Sequence, residues 1–396
     1  MSNSLLTIDM ITKEALRILH QKANFIGAVN RQYDDQFAKS GAKIGDSLRI
    51  RLPNQYTVRD GATIQVQNTV EQSTTLTVAT QKGVDMDFSS AELTMKLDDF
   101  SNRIIEPAVN VLVAAVENDF LNTVRKDVYQ QVNNTAAAIT VASILQGNRK
   151  LADSLAPSGN RTALLNTNDE ANAVDTMKGL FNDQNAIGKQ FREGVMGYAL
   201  GNTFASNTHL GTQARGTGAS YQVNDVAIAN GDTTIVIGTG TGTINVGEIF
   251  TIDGVYSVQP ETKVSTGILQ QFVCTAAVAA AGNLSFLPAL QATGATQNIS
   301  ALPANTAAIT IAGSSNTAYG QSLMFHKDAF TFATADLVMP KGVDMASRQV
   351  LDGVSMRLVR AYDINSDRFP CRLDILYGYK TIRPQLATRL ANLAPA

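Results

Sequence analysis

Three histidines, two cysteines and a handful of acidic pairs are the residues of this chain that could ligate a metal, move a proton or attack a carbonyl. His20, His209 and His326 are far apart, and none has a carboxylate or cysteine at ligand spacing. Cys274 and Cys371 lie in apolar, strand-like sequence. They are too few for a disulfide framework and wrongly spaced for zinc, so the expectation is two buried thiols in a reducing compartment. The pairs Asp34-Asp35, Asp85/Asp87 and Asp98-Asp99 could hold a cation, but surface solvation and helix capping account for them. Gly238-Thr239-Gly240-Thr241-Gly242 has the glycines of a phosphate loop without the following Gly-Lys-Ser/Thr or an opening helix, and reads as a loop between strands. No Gly-x-Ser-x-Gly nucleophile elbow occurs. The residue types therefore predict no catalytic constellation, no metal site and no cofactor, and leave the architecture to carry the function.

Composition narrows the classes further. At 396 residues the chain is long enough for two or three cores. Lys+Arg 32 against Asp+Glu 34 gives a formal charge of -2, which argues against a protein that grips nucleic acid through many phosphates. Asp9, Lys13 and Glu14 interrupt the apolar residues of the first turns, so a secretory signal is not expected. The densest apolar run, residues 108–116, is closed by Pro107 and Glu117, well short of the roughly 20 residues a membrane helix needs.

The elements follow from periodicity. Ile8, Ile11, Ala15, Ile18 and Leu19 fall at helical spacing, with a second apolar cluster at Phe25, Ile26 and Val29. This pattern suits an arm that packs on a neighbour and suits the first helix of a domain about as well. Leu48, Ile50 and Leu52 alternate with Ser47, Arg49 and Arg51 up to Pro53, a strand with one wet face. Residues 56–84 read as a long hairpin, with alternating runs at 63–67 and 75–78 and with Arg59, Asp60, Glu71 and Lys82 at its ends. An isolated hairpin is marginal in water, so this one is expected to lie on its own domain or on an adjacent subunit.

The strongest helix is predicted over 102–131, roughly 45 Å long, with Ile105, Val109, Leu112, Val116, Phe120, Val124 and Val128 on one stripe. Asp98, Asp99 or Ser101 can cap it, and Pro107 suits its first turns. Mixed α/β sequence follows, with a helical piece at 171–181. From 217 to 320 the only charged residues are Asp225, Asp232, Glu248, Asp253, Glu261 and Lys263, among short Thr, Val, Ile, Ala and Gly runs: a separate all-β unit inserted into the α/β region. Strands are predicted again at 355–362 and 372–382.

The order of these parts resembles the major capsid protein of tailed bacteriophages, in the short-tailed-phage subfamily that carries an inserted β-barrel. The carrying residues are 45–53 (Gly-Asp-Ser-Leu-Arg-Ile-Arg-Leu-Pro), the long helix after the hairpin, the segment 246–255 (Val-Gly-Glu-Ile-Phe-Thr-Ile-Asp-Gly-Val), Tyr377-Gly378-Tyr379 and Arg383-Pro384. Relatives often have Glu after this Arg-Pro, and here Gln385 stands.

The resemblance implies an α+β chain with the tailed-phage major capsid (Johnson) fold. Its parts would be an N-arm (1–36), a strand leading to the hairpin (37–53), an extended loop (54–88) and a peripheral domain with the spine helix (89–138). An axial domain (139–217), resumed in an axial/peripheral part (319–396), would be split by an inserted β-barrel (218–318). It implies a non-enzymatic shell protein of the virion capsid, assembled in the host bacterial cytoplasm as pentamers and hexamers. A scaffolding protein, a portal protein and enclosed double-stranded DNA bound without sequence specificity would be its partners, and no membrane is involved. Arg59, Asp60, Glu71 and Lys82 are then candidates for contact between subunits, and Glu14 for contact with scaffold. An encapsulin-type nanocompartment shell is the alternative within the fold; a secreted β-rich adhesin or enzyme is the alternative outside it.

Overall fold

A computed structural model describes residues 12, 13, 15, 17, 23–31, 46–59, 61–68, 71–89, 106–177, 197–351 and 354–393. Glu14, Asp60, Asp34-Asp35, Asp98-Asp99, Ile105 and the predicted start of the long helix lie outside them. In chain order the helices are α1 (Asn24–Ala28), α2 (Glu106–Val124), α3 (Val141–Asp153) and α4 (Thr167–Met177). The first strands are β1 (Asp46–Arg51), β2 (Ser73–Val78), β3 (Thr80–Ser89), β4 (Gln131–Asn134), β5 (Arg161–Leu165), β6 (Tyr198–Ala199), β7 (Asn202–Ser206) and β8 (Thr212–Ala214). Next come β9 (Gln222–Val223), β10 (Thr234–Gly238), β11 (Ile249–Val258), β12 (Ser265–Cys274), β13 (Gly282–Leu287) and β14 (Ile309–Ile311). The last are β15 (Ala318–His326), β16 (Phe330–Ala335), β17 (Met345–Leu351), β18 (Val354–Arg360), β19 (Arg368–Thr381) and β20 (Ala387–Leu393). The chain divides into two compact units, one drawn from Met1–Ile50, Ser73–Phe120 and Phe330–Ile382, the other from Arg51–Gln72, Leu121–Ala329 and Arg383–Ala396.

The first unit is organised by β19. This strand pairs with β16 and β18 and, over its first ten residues from Arg368↔Ser89 to Tyr377↔Thr80, with β3. The predicted helical stripe is realised: Val109, Leu112, Val116 and Phe120 are all buried. Phe120 meets Phe25 at 4.7 Å, Phe332 at 5.5 Å and Tyr379 at 4.9 Å between ring centroids, which makes an aromatic core. Of the two readings open for the N-terminal apolar cluster, residues 23–31 take the one inside the chain. Phe25, Ile26 and Val29 are buried, and Asn30 extends the sheet through Asn30 N to Phe330 O (3.2 Å) and Phe332 N to Asn30 O (3.1 Å). Gly378 of the Tyr-Gly-Tyr motif lets β2 approach, since a Cβ there would collide with the Thr77 carbonyl.

Two expectations need correction. The hairpin does not pair 63–67 with 75–78: β2 pairs with β1, and 52–68 contains no strand among its described residues. The alternating Thr63–Gln67 run is bridged by a side chain, with Thr57 N donating to Gln67 Oε1 (2.9 Å) and Gln67 Nε2 to Thr57 O (2.5 Å). A side-chain amide here replaces a ladder of backbone bonds. The long helix ends at Val124 and not near Gln131. A 3₁₀ turn, Arg125–Asp127, tightens its last turn, and Val128 is already extended. The described helix is about 28 Å long. Val128 stays fully buried, so the stripe held while the backbone changed: pairing of Gln131 with Arg389 captured the segment as β4. The predicted helix over 171–181 begins earlier, at Thr167.

The second unit carries two sheets. One has the order β4-β20-β15-β5-β7-β6, with β8 also on β15. Helix α3 packs on it behind a capping box, in which Thr140 and Ser143 exchange side-chain and backbone bonds. The other sheet runs β14-β11-β12-β13-β10-β9. Its first and last strands meet, with Ile309 N on Tyr221 O (2.9 Å), Val223 N on Ala307 O (2.9 Å) and a bridge from Gln222 to Ala308, so the sheet curls into a barrel. Phe250, Phe272 and Phe286 meet at 5.2–5.9 Å between ring centroids in its own core, the first two stacked and Phe286 edge-on to both, with Tyr221, Ile235 and Ile299. The charge-poor stretch folds this way because its alternate residues find one shared interior.

Candidate self-assembly surfaces

Among the described residues no group of three His, Cys, Asp or Glu could hold a metal. No helix among the described residues is long and apolar enough to cross a membrane, which says nothing of strands. His209 offers its carbonyl to Asn122 (3.3 Å), and His326 is buried beside Asp328 (3.7 Å), where burial lowers its proton affinity. Cys274 and Cys371 are free and buried, and burial pushes both thiols up to about 11. The glycine run at 238–242 is indeed a connection. Tyr221 fills the space a Cβ at Gly240 would need and donates to the Gly242 carbonyl (2.5 Å).

The exposed loop 52–68 is the first surface. Leu52 N to Gln72 O (2.9 Å) closes its base, next to an exposed pair between Arg51 and Glu71 (3.6 Å). Arg59 binds its own loop, through the carbonyls of Gly61 and Thr63. Tyr56, Val58, Ile64 and Val66 are turned to solvent, Val58 at 90% and Val66 at 84% of full exposure. Four exposed apolar side chains along one short segment make this loop a candidate interaction surface. The alternation in the sequence held the signal for them, although it was read as strand pairing rather than as apolar exposure.

The second surface is the wet face of β3 and β19. Asp85 binds Arg372 through two bonds (2.7 and 3.0 Å) and Asp87 binds Arg368 (2.6 Å), so the suspected cation ligands are cross-strand ion pairs. The guanidinium of Arg372 holds the Asp85 carboxyl below its usual range. Lys82 sits near Asp119 (3.5 Å) and donates to the Ala115 carbonyl (3.1 Å), while Tyr377 donates to Asp119 (2.6 Å). Lys82 thus ties β3 to α2. Within the sheet Arg357 pairs with the buried Asp374, a group that sequence alone did not single out. Arg59, Glu71 and Lys82 therefore all have partners in their own chain.

Comparison with known proteins follows from this geometry. No curated protein sequence matches the chain. Among solved structures, a chain from Mycobacterium phage Che8 is 12% identical at TM-score 0.46, over 93% of this chain and 90% of that one. The mature capsid of bacteriophage PhiM1 is 10% identical at TM-score 0.44, over 88% and 83%. The CUS-3 coat protein I-domain is 28% identical at TM-score 0.19, over 23% of this chain and 94% of that one. These likenesses are too distant to speak of function. The family model described as P22 coat protein, gene protein 5, matches residues 27–389 and so nearly the whole chain. The chain accordingly belongs to the P22 coat protein family: it is a bacteriophage major capsid protein, structural in role, whose place is the virion capsid and whose partners are its own copies in an icosahedral shell.

Proposed function

We propose that the chain builds the wall of a tailed-phage head through a scaffold-assisted procapsid that expands around double-stranded DNA. A scaffolding protein and a portal are its other partners. The observation that carries this reading is the loop 52–68, with its apolar side chains facing solvent. The loop lies on a neighbouring subunit. The charged Arg59, Asp60, Glu71 and Lys82 tune that contact, and Glu14 in the N-arm meets scaffold. The barrel of residues 218–318 is an inserted domain that folds on its own: its chain ends run side by side, with Arg215 N on Thr317 O (2.9 Å) and Asn316 N on Gly216 O (3.3 Å), and its core is self-contained.

Physical chemistry supports many weak contacts over one strong one. A contact worth about 4 kcal/mol, near millimolar, lets misplaced subunits leave, and several per subunit make a durable container. A formal charge of -2 suits a wall that encloses packed DNA without holding it. The test is the triple variant Val58→Ser, Ile64→Ser and Val66→Ser, co-expressed with scaffolding protein. Solvent-facing substitutions shift stability by only about 0.5 kcal/mol each, so the subunits should fold normally and fail to close shells under the electron microscope. Closed shells at the ordinary yield would remove the loop from assembly.

A further inference from the structure

Arg389 stands mid-strand in β20, in register with Gln131 of β4 and Leu323 of β15. Alternation places its side chain opposite Leu390, and Leu390 with Met324 is what lies against Gly147 of α3. The guanidinium therefore points away from α3. It is 0% exposed, and its Nε, Nη1 and Nη2 have no hydrogen-bond partner. A second buried cation, Arg125 in the turn after α2, is 3% exposed and close enough for its like charge to act on Arg389. Arg125 spends two nitrogens on the carbonyls of Gly211 (2.9 Å) and Thr212 (3.5 Å), while its Nε is also unpaired. Burial, with the like charge of Arg125, brings Arg389 down to about 9; burial brings Arg125 to about 10.

A buried guanidinium without a counter-charge is strongly disfavoured, and a second one beside it adds repulsion. The unpaired nitrogens are all donors, since arginine carries no acceptor. A water molecule placed there would need acceptors for its own hydrogens, and the one orphaned side-chain acceptor among the described residues of this sheet face is the amide oxygen Oε1 of Gln321. An anion accepts from every donor and cancels charge at once. We propose that Arg389 and Arg125 enclose a small inorganic anion of halide size, a structural ion that fastens β20 to the turn after α2. Complete enclosure favours an ion without a tail over a phosphate ester or the carboxylate of another chain.

The unassembled full-length chain is unfolded by heat in chloride and in gluconate at constant ionic strength. Its Tm should climb with chloride by about 2 °C per tenfold once the site fills, and Arg389→Met should abolish that dependence. Crystals of the unaltered chain grown in bromide should show an anomalous peak between the two guanidinium groups. A Tm indifferent to chloride would overturn the proposal, as would an Arg389→Met chain that is more stable in every buffer, the behaviour of a merely unpaired charge removed. A bromide map empty at this position would overturn it as well. If Arg389→Met does not fold, Arg125→Met takes its place, and the bromide experiment needs no variant.

Discussion

Glu248 sits at the neck of the barrel, immediately before β11, and is 3% exposed. Its Oε1 accepts from the backbone N–H of Gly216, and Oε2 has no partner. Glu248→Ala would strand that buried amide, a loss of about 1–3 kcal/mol at neutral pH. Glu248→Gln keeps an acceptor and removes the charge, so it isolates the titration. Burial raises this carboxyl above its ordinary value of 4.5, against the backbone bonds and the charge of Arg215, so the folded chain holds the proton more tightly than the unfolded one. The stability this proton provides is complete below about 4.5 and drains away as pH rises through the higher folded value. Urea unfolding between pH 4 and 8 should show the wild type losing ground to Glu248→Gln over that window, by at most about 1.4 kcal/mol per pH unit. Parallel pH curves for the two chains would refute the account of a buried, proton-seeking carboxyl, and a Glu248→Ala chain within about 0.5 kcal/mol of wild type would refute its bond to the Gly216 amide.

Gly378→Ala should destabilise the first unit by about 1–3 kcal/mol in chemical denaturation, because the new methyl meets the rigid Thr77 carbonyl rather than a movable side chain; a neutral result would mean that β2 can retreat. Cys274 and Cys371, both held near 11, have a thiolate fraction below roughly one in a thousand at pH 7.5, so a disulfide reagent should leave the native chain unlabelled for hours and modify both thiols promptly in urea. Rapid labelling of the folded chain would contradict their burial.

Much of the fold is legible where one physical demand acts alone. Every position of the stripe from Val109 to Val128 is buried, with Val113 and Leu121 beside it, and the near-absence of charge from 217 to 320 marks a stretch whose strands share an interior. Legibility fails where two demands compete for the same backbone. Val128 is buried equally well at the end of a helix or beside a strand, so periodicity could not say that β20 would draw the chain into β4. Thr63–Gln67 alternates as a strand should, yet β1 is the partner that β2 takes, and a pleat pattern does not name its partner. The candidate surface was half visible for the same reason: the charged residues at the loop ends stand out in a sequence, whereas Val58, Ile64 and Val66 look like ordinary strand interior until no strand covers them.

The groups that sequence missed altogether are the buried polar ones, and they share a cause. Ala-Thr-Arg-Leu-Ala-Asn-Leu reads as a strand with its Arg and Asn in water, but β20 is covered on both faces and keeps Arg389 and Asn392 inside. Asn392 donates to Asp169 (2.8 Å), which also receives Asn166 (2.8 Å) and Ser322 (2.5 Å), and burial raises that carboxyl while the three donors oppose it. Gln271 of the barrel similarly exchanges two bonds with the backbone of Gln131 (2.9 and 3.0 Å) and receives Lys150 (2.9 Å), whose amine burial lowers to about 8. Hydrophobic contacts fill these interiors without choosing a register, since a strand that slips by two residues still buries apolar side chains. A directional bond to a buried amide or carboxyl is lost by the same slip, at about 1–3 kcal/mol for each stranded group. Unusual proton affinities at Asp169, Glu248 and Lys150 are therefore the mark of polar pins that fix how β20, the neck and the barrel seat within the second unit.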